Sequence, residues 1–117
     1  MGFSQAITSG FSNYVTFSGR ASRSEYWYWV LFVILAEIVT SIIDYVIGIE
    51  VTTTLFGLAV ILPGLAVTFR RLHDLDRSAW WFLIAFIPII GWIVLIIWYC
   101  ARGTVGQNRF GPDPLPQ

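Results

Sequence analysis

Lysine is missing from this chain of 117 residues, so its side-chain cations are seven arginines, and seven carboxylates balance them to a formal net charge of zero. Without a charge surplus there is no bulk field to gather nucleic acid. Cysteine occurs once, at Cys100, which excludes an internal disulfide and any thiolate metal cage. No glycine-rich phosphate loop is present, and Ser22, His73 and Ser78 do not form a nucleophilic array. Neither a metal nor another cofactor is implied. The first 19 residues carry no basic side chain and no compact apolar core, so no cleavable signal peptide is expected in them. Charge of either sign is scarce, at 12% of residues, about half the share in a globular domain.

What fills the chain instead is apolar sequence, 56% of residues, gathered into runs at Tyr26 to Val46, Val51 to Phe69 and Ala79 to Ala101. A helix rises ~1.5 Å per residue, so a hydrocarbon core of ~30 Å needs roughly 20 apolar residues. Each run is about that long, and a soluble domain of this size could not bury three of them. The expected fold is an all-α membrane protein with three transmembrane helices in a single membrane domain, residues 1–117. Within it, 1–21 form a leader, 22–48 helix one, 51–69 helix two, 70–78 a charged loop, 79–101 helix three and 102–117 an irregular tail.

Local signals set these bounds. Ser22 followed by Glu25 reads as a capping box at the start of helix one. Trp27 and Trp29 sit where aromatic rings anchor at headgroup level. Helix one ends near Gly48, and only Gly48, Ile49 and Glu50 separate it from the second run, which forces an antiparallel hairpin. Pro63-Gly64 predicts a kink in helix two. In the leader, Phe3, Ile7, Phe11, Tyr14 and Val15 share one side of a helix. They read either as a helix lying in the membrane interface or as a loosely ordered leader.

Five arginines (Arg20, Arg23, Arg70, Arg71 and Arg77) share one side of such a bundle, which the positive-inside rule places in the cytoplasm. Three full spans would then put Arg102, Arg109 and the tail outside. Pro88 and Gly91 leave an alternative, in which the third run enters, turns and returns, keeping the tail inside. Such backbone needs cover from protein or water, which a lone small subunit offers sparingly, so three spans is the expectation.

Three polar stretches flank the runs: Phe17-Ser-Gly-Arg-Ala-Ser-Arg-Ser-Glu-Tyr-Trp27, Phe69-Arg-Arg-Leu-His-Asp-Leu-Asp-Arg-Ser-Ala-Trp-Trp81, and Gly103-Thr-Val-Gly-Gln-Asn-Arg-Phe-Gly-Pro-Asp-Pro114. In this order they resemble the YhaH-like family of bacterial inner-membrane proteins, catalogued as domain of unknown function 805. The resemblance covers nearly the whole chain. It implies a multi-pass protein of the bacterial inner membrane and no particular reaction. Asp44 fits that pattern, whereas Glu37 departs from it.

Candidate site residues fall into three groups. Arg20, Arg23, Arg70, Arg71, His73, Asp74, Asp76 and Arg77 converge at one membrane face, where arginines can grip the phosphate of a lipid headgroup or of a small ligand. The same residues could instead satisfy one another, Arg23 with Asp74 or Asp76 and Glu25 as a helix cap. His73 has too few neighbouring ligands for a metal site. Second, Glu37, Thr40, Ser41 and Asp44 form a polar stripe at i, i+3, i+4, i+7 spacing, read either as a conduction path or as a packing contact. Third, Asn108, Arg109 and Asp113 mark the tail as a docking strap. The expected function is a non-enzymatic accessory or scaffold protein binding membrane lipid or a protein partner, with a small channel or transporter as the alternative. A homo-oligomer is expected, because one small bundle cannot shelter the stripe.

Overall fold

The computed structural model describes residues 2–114. Met1 and residues 115–117, the ends of the expected leader and tail, lie outside the described residues. Among the described residues four α-helices follow in order: α1 (Phe3–Ser12), α2 (Arg23–Ile47), α3 (Thr52–Asp74) and α4 (Ile90–Cys100), with a 3₁₀ helix at Ala79–Phe86 before α4. Two of them, α2 and α3, are long and apolar enough to cross a membrane.

α2 starts where its cap requires. The Ser22 hydroxyl accepts the backbone N–H of Glu25 at 3.3 Å. The expected reciprocal half of a capping box is absent, because the Glu25 carboxylate is taken elsewhere. It accepts Arg70 Nη1 at 2.6 Å and the Ser9 hydroxyl at 3.1 Å, tying α1, α2 and α3 together at one point. At the other end Gly48 adopts φ 90°, the left-handed conformation that closes a helix cheaply only in glycine. α3 then begins without a side-chain cap of its own, since its first flanking residue is Val51. Asp44 supplies one from across the turn, accepting the N–H groups of Thr52 and Thr53 at 2.9 Å each. This carboxylate closes the α2–α3 hairpin and satisfies two of the donors that a helix start leaves orphaned.

α3 continues unbroken through Pro63 and runs to Asp74, so half of the expected loop 70–78 is helical. It ends in a Schellman motif: Arg77 N–H donates to Leu72 O at 3.0 Å and Asp76 N–H to His73 O at 2.9 Å. Asp76 takes the left-handed place that glycine usually holds, with φ 59°. Arg71 lies in that last turn, where a cation complements the helix dipole.

The run 79–101, expected as one spanning helix, is not one. It breaks at Pro88 into an eight-residue 3₁₀ helix and the eleven-residue α4. Proline offers no N–H and pushes the residue before it out of the helical region; Ile87 accordingly sits at φ −89°, ψ 105°. A γ-turn follows, with Ile90 N–H donating to Pro88 O at 2.7 Å around Ile89 at φ 66°, ψ −64°. The two halves fold back on each other. Gly91 faces the Ile84 carbonyl so closely that a Cβ would overlap it, and Trp92 Nε1 donates to Ala85 O at 2.8 Å. α4 is ~16 Å long, about half of a hydrocarbon core. Both ends of this hairpin lie at the same end of the molecule, near the close of α3.

α1 is a helix, and it docks. Phe11 meets Trp29 and Phe32 at ring distances of 5.2 and 5.9 Å, and Phe3 meets Tyr28 at 5.9 Å. Gly10 permits this approach, because the Trp29 ring occupies the space a Cβ would need. Two apolar clusters result. Ala21, Trp29, Val60 and Val67 join α2 to α3, and Leu72, Leu95 and Tyr99 join α3 to α4.

Candidate functional site

Asp74 is the centre of the polar end. Its side chain is almost fully buried, with one oxygen for each of two arginines. Arg20 Nε donates to Oδ1 at 3.0 Å, and Arg71 Nη1 to Oδ2 at 2.6 Å. Arg71 is itself fully buried and spends its other donors on the carbonyls of Tyr99 and Ala101 at the close of α4. Arg20 reaches the opposite way, into the tail, and donates to the carbonyls of Thr104, Gly106 and Gly111. Thr104 N–H returns a bond to Asp74 O at 2.7 Å. Gly103 lies flat against the carboxylate, leaving no room for a Cβ. The two guanidiniums thus draw the leader, α3, α4 and the tail into one clasp, built on a single carboxylate between two cations.

The tail closes over this clasp as a strap. Its tip is a tight turn in which Asn108 and Gly111 exchange backbone bonds of 3.0 and 3.1 Å. Asn108 Nδ2 donates to His73 O at 2.9 Å. The Phe110 ring stacks on the His73 imidazole at 4.1 Å and 6°, while His73 Nδ1 sits 2.9 Å from Gly19 O. Arg109 pairs with Asp76 at 3.2 Å on the exposed rim. Asp113 folds the strap on itself, holding Arg102 at 2.8 Å.

The eight sequence-predicted residues of the basic-acidic group are therefore brought together, but with other partners than expected. Arg20 and Arg71, not Arg23, hold Asp74, and Asp76 belongs to Arg109. Arg23 is exposed, and among the described residues its guanidinium donates to Cys100 O at 3.3 Å. Arg77 lies over the Trp98 ring at 4.0 Å. Among the described residues no three metal-ligating side chains converge.

The polar stripe is split. Asp44 is buried as the cap of α3, and Thr40 Oγ1 donates to Glu37 O at 3.1 Å. Glu37 and Ser41 remain on the outer face of α2, lining a shallow groove with Ile38, Ile42 and Tyr45.

Residues 14–112 match a family described as protein of unknown function, DUF805. The chain belongs to the DUF805 family. It is 50% identical to the inner membrane protein YhaH of Escherichia coli K12 over 108 residues, 87% of this chain and 89% of that protein. It is 46% identical to the inner membrane protein YhaI of the same strain over 112 residues, 94% of this chain and 95% of YhaI. The uncharacterized protein YiiR is 33% identical over 84% of the chain and 85% of its own length. No solved structure matches. With these relatives and its apolar helices, this DUF805 chain is an inner-membrane protein.

The DUF805 match begins after α1 and ends beyond Gly111, enclosing the whole clasp and leaving α1 and Asp113 outside. Sequence reasoning missed Ser9 of α1 on Glu25 and, within the clasp, Gly103 on Asp74, the Thr104 and Gly106 carbonyls on Arg20, and Phe110 on His73. The third polar stretch carried a signal for the last three, since its small residues allow backbone to lie directly on the clasp. Nothing in the sequence pairs Ser9 with Glu25.

Proposed function

We propose that the chain is a non-enzymatic scaffold of the inner membrane, which holds a pre-ordered cationic cap at the cytoplasmic surface against anionic lipid headgroups. One observation carries this reading. All seven arginines gather at the clasp end, where they meet four carboxylates (Glu25, Asp74, Asp76 and Asp113), a surplus of three positive charges. Asp44 and Glu50 lie at the opposite turn. The positive-inside rule then puts the clasp in the cytoplasm, and with it the tail; the 3₁₀–α4 hairpin enters the membrane from that side and returns. Basic residues near an anionic surface gain about 1 kcal/mol each, so three uncompensated charges suffice to select headgroups. Native mass spectrometry of the chain released from nanodiscs of equal phosphatidylglycerol and phosphatidylcholine is expected to show severalfold enrichment of phosphatidylglycerol, declining with salt. Equal retention of the two lipids rejects the reading.

The conduction alternative loses Asp44 to capping and rests on Glu37 alone. Glu37 fits self-association better. Among the described residues no side-chain partner for its carboxyl lies within one copy, and no arginine lies near it. A second copy presenting Glu37 and Ser41 supplies what hydrocarbon cannot, at about 1 kcal/mol per interhelical bond. In a Cys100→Ser background, Ser41→Cys is expected to cross-link copies in membranes. Glu37→Gln should preserve the cross-link and Glu37→Leu weaken it severalfold. No cross-link with Glu37 intact rejects self-association through this face.

A further inference from the structure

We infer that the first three turns of α2 hold a single phospholipid of the inner leaflet, its phosphate gripped by Arg23 and Ser24 and an acyl chain laid along Leu31. The inference rests on the cytoplasmic placement of the clasp and adds a defined site to the general attraction of the cap. Arg23, Ser24, Trp27, Tyr28 and Leu31 line an open groove of about 610 Å³. Their order along the helix matters. Guanidinium and hydroxyl stand on the first turn, two amphipathic rings on the next and an aliphatic side chain on the third, ~12 Å from Arg23 at ~1.5 Å per residue. Polarity in the groove therefore falls along the membrane normal in the same sequence as phosphate, glycerol ester and hydrocarbon in a phospholipid. A soluble anion would match only the first turn.

Arg23 is equipped for this role by what it does not hold. Five of the seven arginines face a carboxylate, and Arg77 is committed to the Trp98 ring. Arg23 is exposed and, among the described residues, pairs with no carboxylate; one Nη1 bond to the Cys100 carbonyl at 3.3 Å fixes its direction. A guanidinium carries five N–H donors, so a forked pair remains for phosphate oxygens. The Ser24 hydroxyl stands beside it, 3.1 Å from that of Ser22. The Trp27 wall is rigid, because its Nε1 donates to Tyr99 O at 3.0 Å.

The test titrates phosphatidylglycerol onto the delipidated full-length chain in detergent, read by native mass spectrometry. One bound lipid is expected on the unmodified chain. Arg23→Gln should weaken it about tenfold or more, and Arg23→Lys less. Leu31→Trp should weaken it with the guanidinium intact, by filling the acyl track. Glu50→Gln, at the opposite turn, should change little. Millimolar inorganic phosphate should leave the lipid in place; displacement by phosphate would reduce the groove to an anion site and overturn the lipid assignment. If Arg23→Gln and Leu31→Trp both bind as the unmodified chain does, while phosphatidylglycerol enrichment from nanodiscs persists, the site is wrong and the scaffold reading stands. If enrichment itself is absent, both fall.

Discussion

Replacing Asp74 by Asn opens the polar end of the protein while leaving α2 and α3 in the membrane. The carboxylate is 1% exposed and stands between Arg20 and Arg71, of which the second is fully buried. Arginine does not shed its proton at any accessible pH, so the neutral amide leaves two cations without their counter-charge. Removing one member of a buried ion pair costs about 3–5 kcal/mol. A membrane domain with few buried side chains has little to set against that loss. The hydrophobic spans do not depend on Asp74, so the loss should be local. The strap loses the three carbonyl bonds that tie it through Arg20 to Asp74 when Arg20 is free to swing into the headgroups, and it keeps Thr104 and Asn108 on the α3 backbone. Limited proteolysis of inside-out vesicles checks this. The tail should resist cleavage in the unmodified chain and be cut rapidly in Asp74→Asn, with a lowered melting temperature in detergent. Arg109→Gln breaks a pair that is mostly exposed and should leave the tail protected, as exposed ion pairs contribute little. Equal protection in Asp74→Asn and the unmodified chain would show that the strap is held by something other than the two arginines.

Which parts of this end were legible depends on the distance over which each decision is made. The start of α2 was readable because Ser22 and Glu25 are three residues apart. Even so, only the backbone half of the box formed, since Glu25 is claimed by Arg70, 45 residues away. The pairing of Arg20 with Asp74 spans 54 residues, and no local pattern sets which arginine meets which carboxylate. Asp44 shares a helix face with Glu37 by spacing, so it read as part of a stripe. Its role comes from the turn at Gly48, which swings the start of α3 under it. The end of α3 was misplaced because charged residues look like a loop when their partners are out of sight. In the folded chain the same charges are buried and hold the last turn helical. For the third run the break was visible in Pro88 and Gly91. What the sequence withheld was the cover: Leu72 beneath Leu95 and Tyr99, and a tail that supplies carbonyls to Arg20.

That break carries the other large prediction, the side of the membrane on which the tail lies. In a Cys100→Ser background, Gln107→Cys places a single thiol on the exposed part of the strap. It should react with a membrane-impermeant maleimide in inside-out vesicles and not in intact cells after outer-membrane permeabilisation. Two energies keep the third run folded back. A straightened third run would be long enough to span, and proline in a helix interior opposes it by only ~3 kcal/mol. Against straightening stand three tail carbonyls on Arg20, each a bond to a charged donor worth about 1.5–3 kcal/mol. Moving the tail across would also carry Arg102 and Arg109 to the outer side against the positive-inside preference. The clasp outweighs the proline. Pro88→Leu alone should therefore leave the label on the cytoplasmic side, and only Pro88→Leu combined with Arg20→Gln should let part of the population label from outside. External labelling of the Pro88→Leu single variant would mean that proline, not the strap, keeps the tail inside. External labelling of the Gln107→Cys thiol with Pro88 and Arg20 both intact would mean a third span, and Asp74 would then be separated from Gly103 by the thickness of the bilayer.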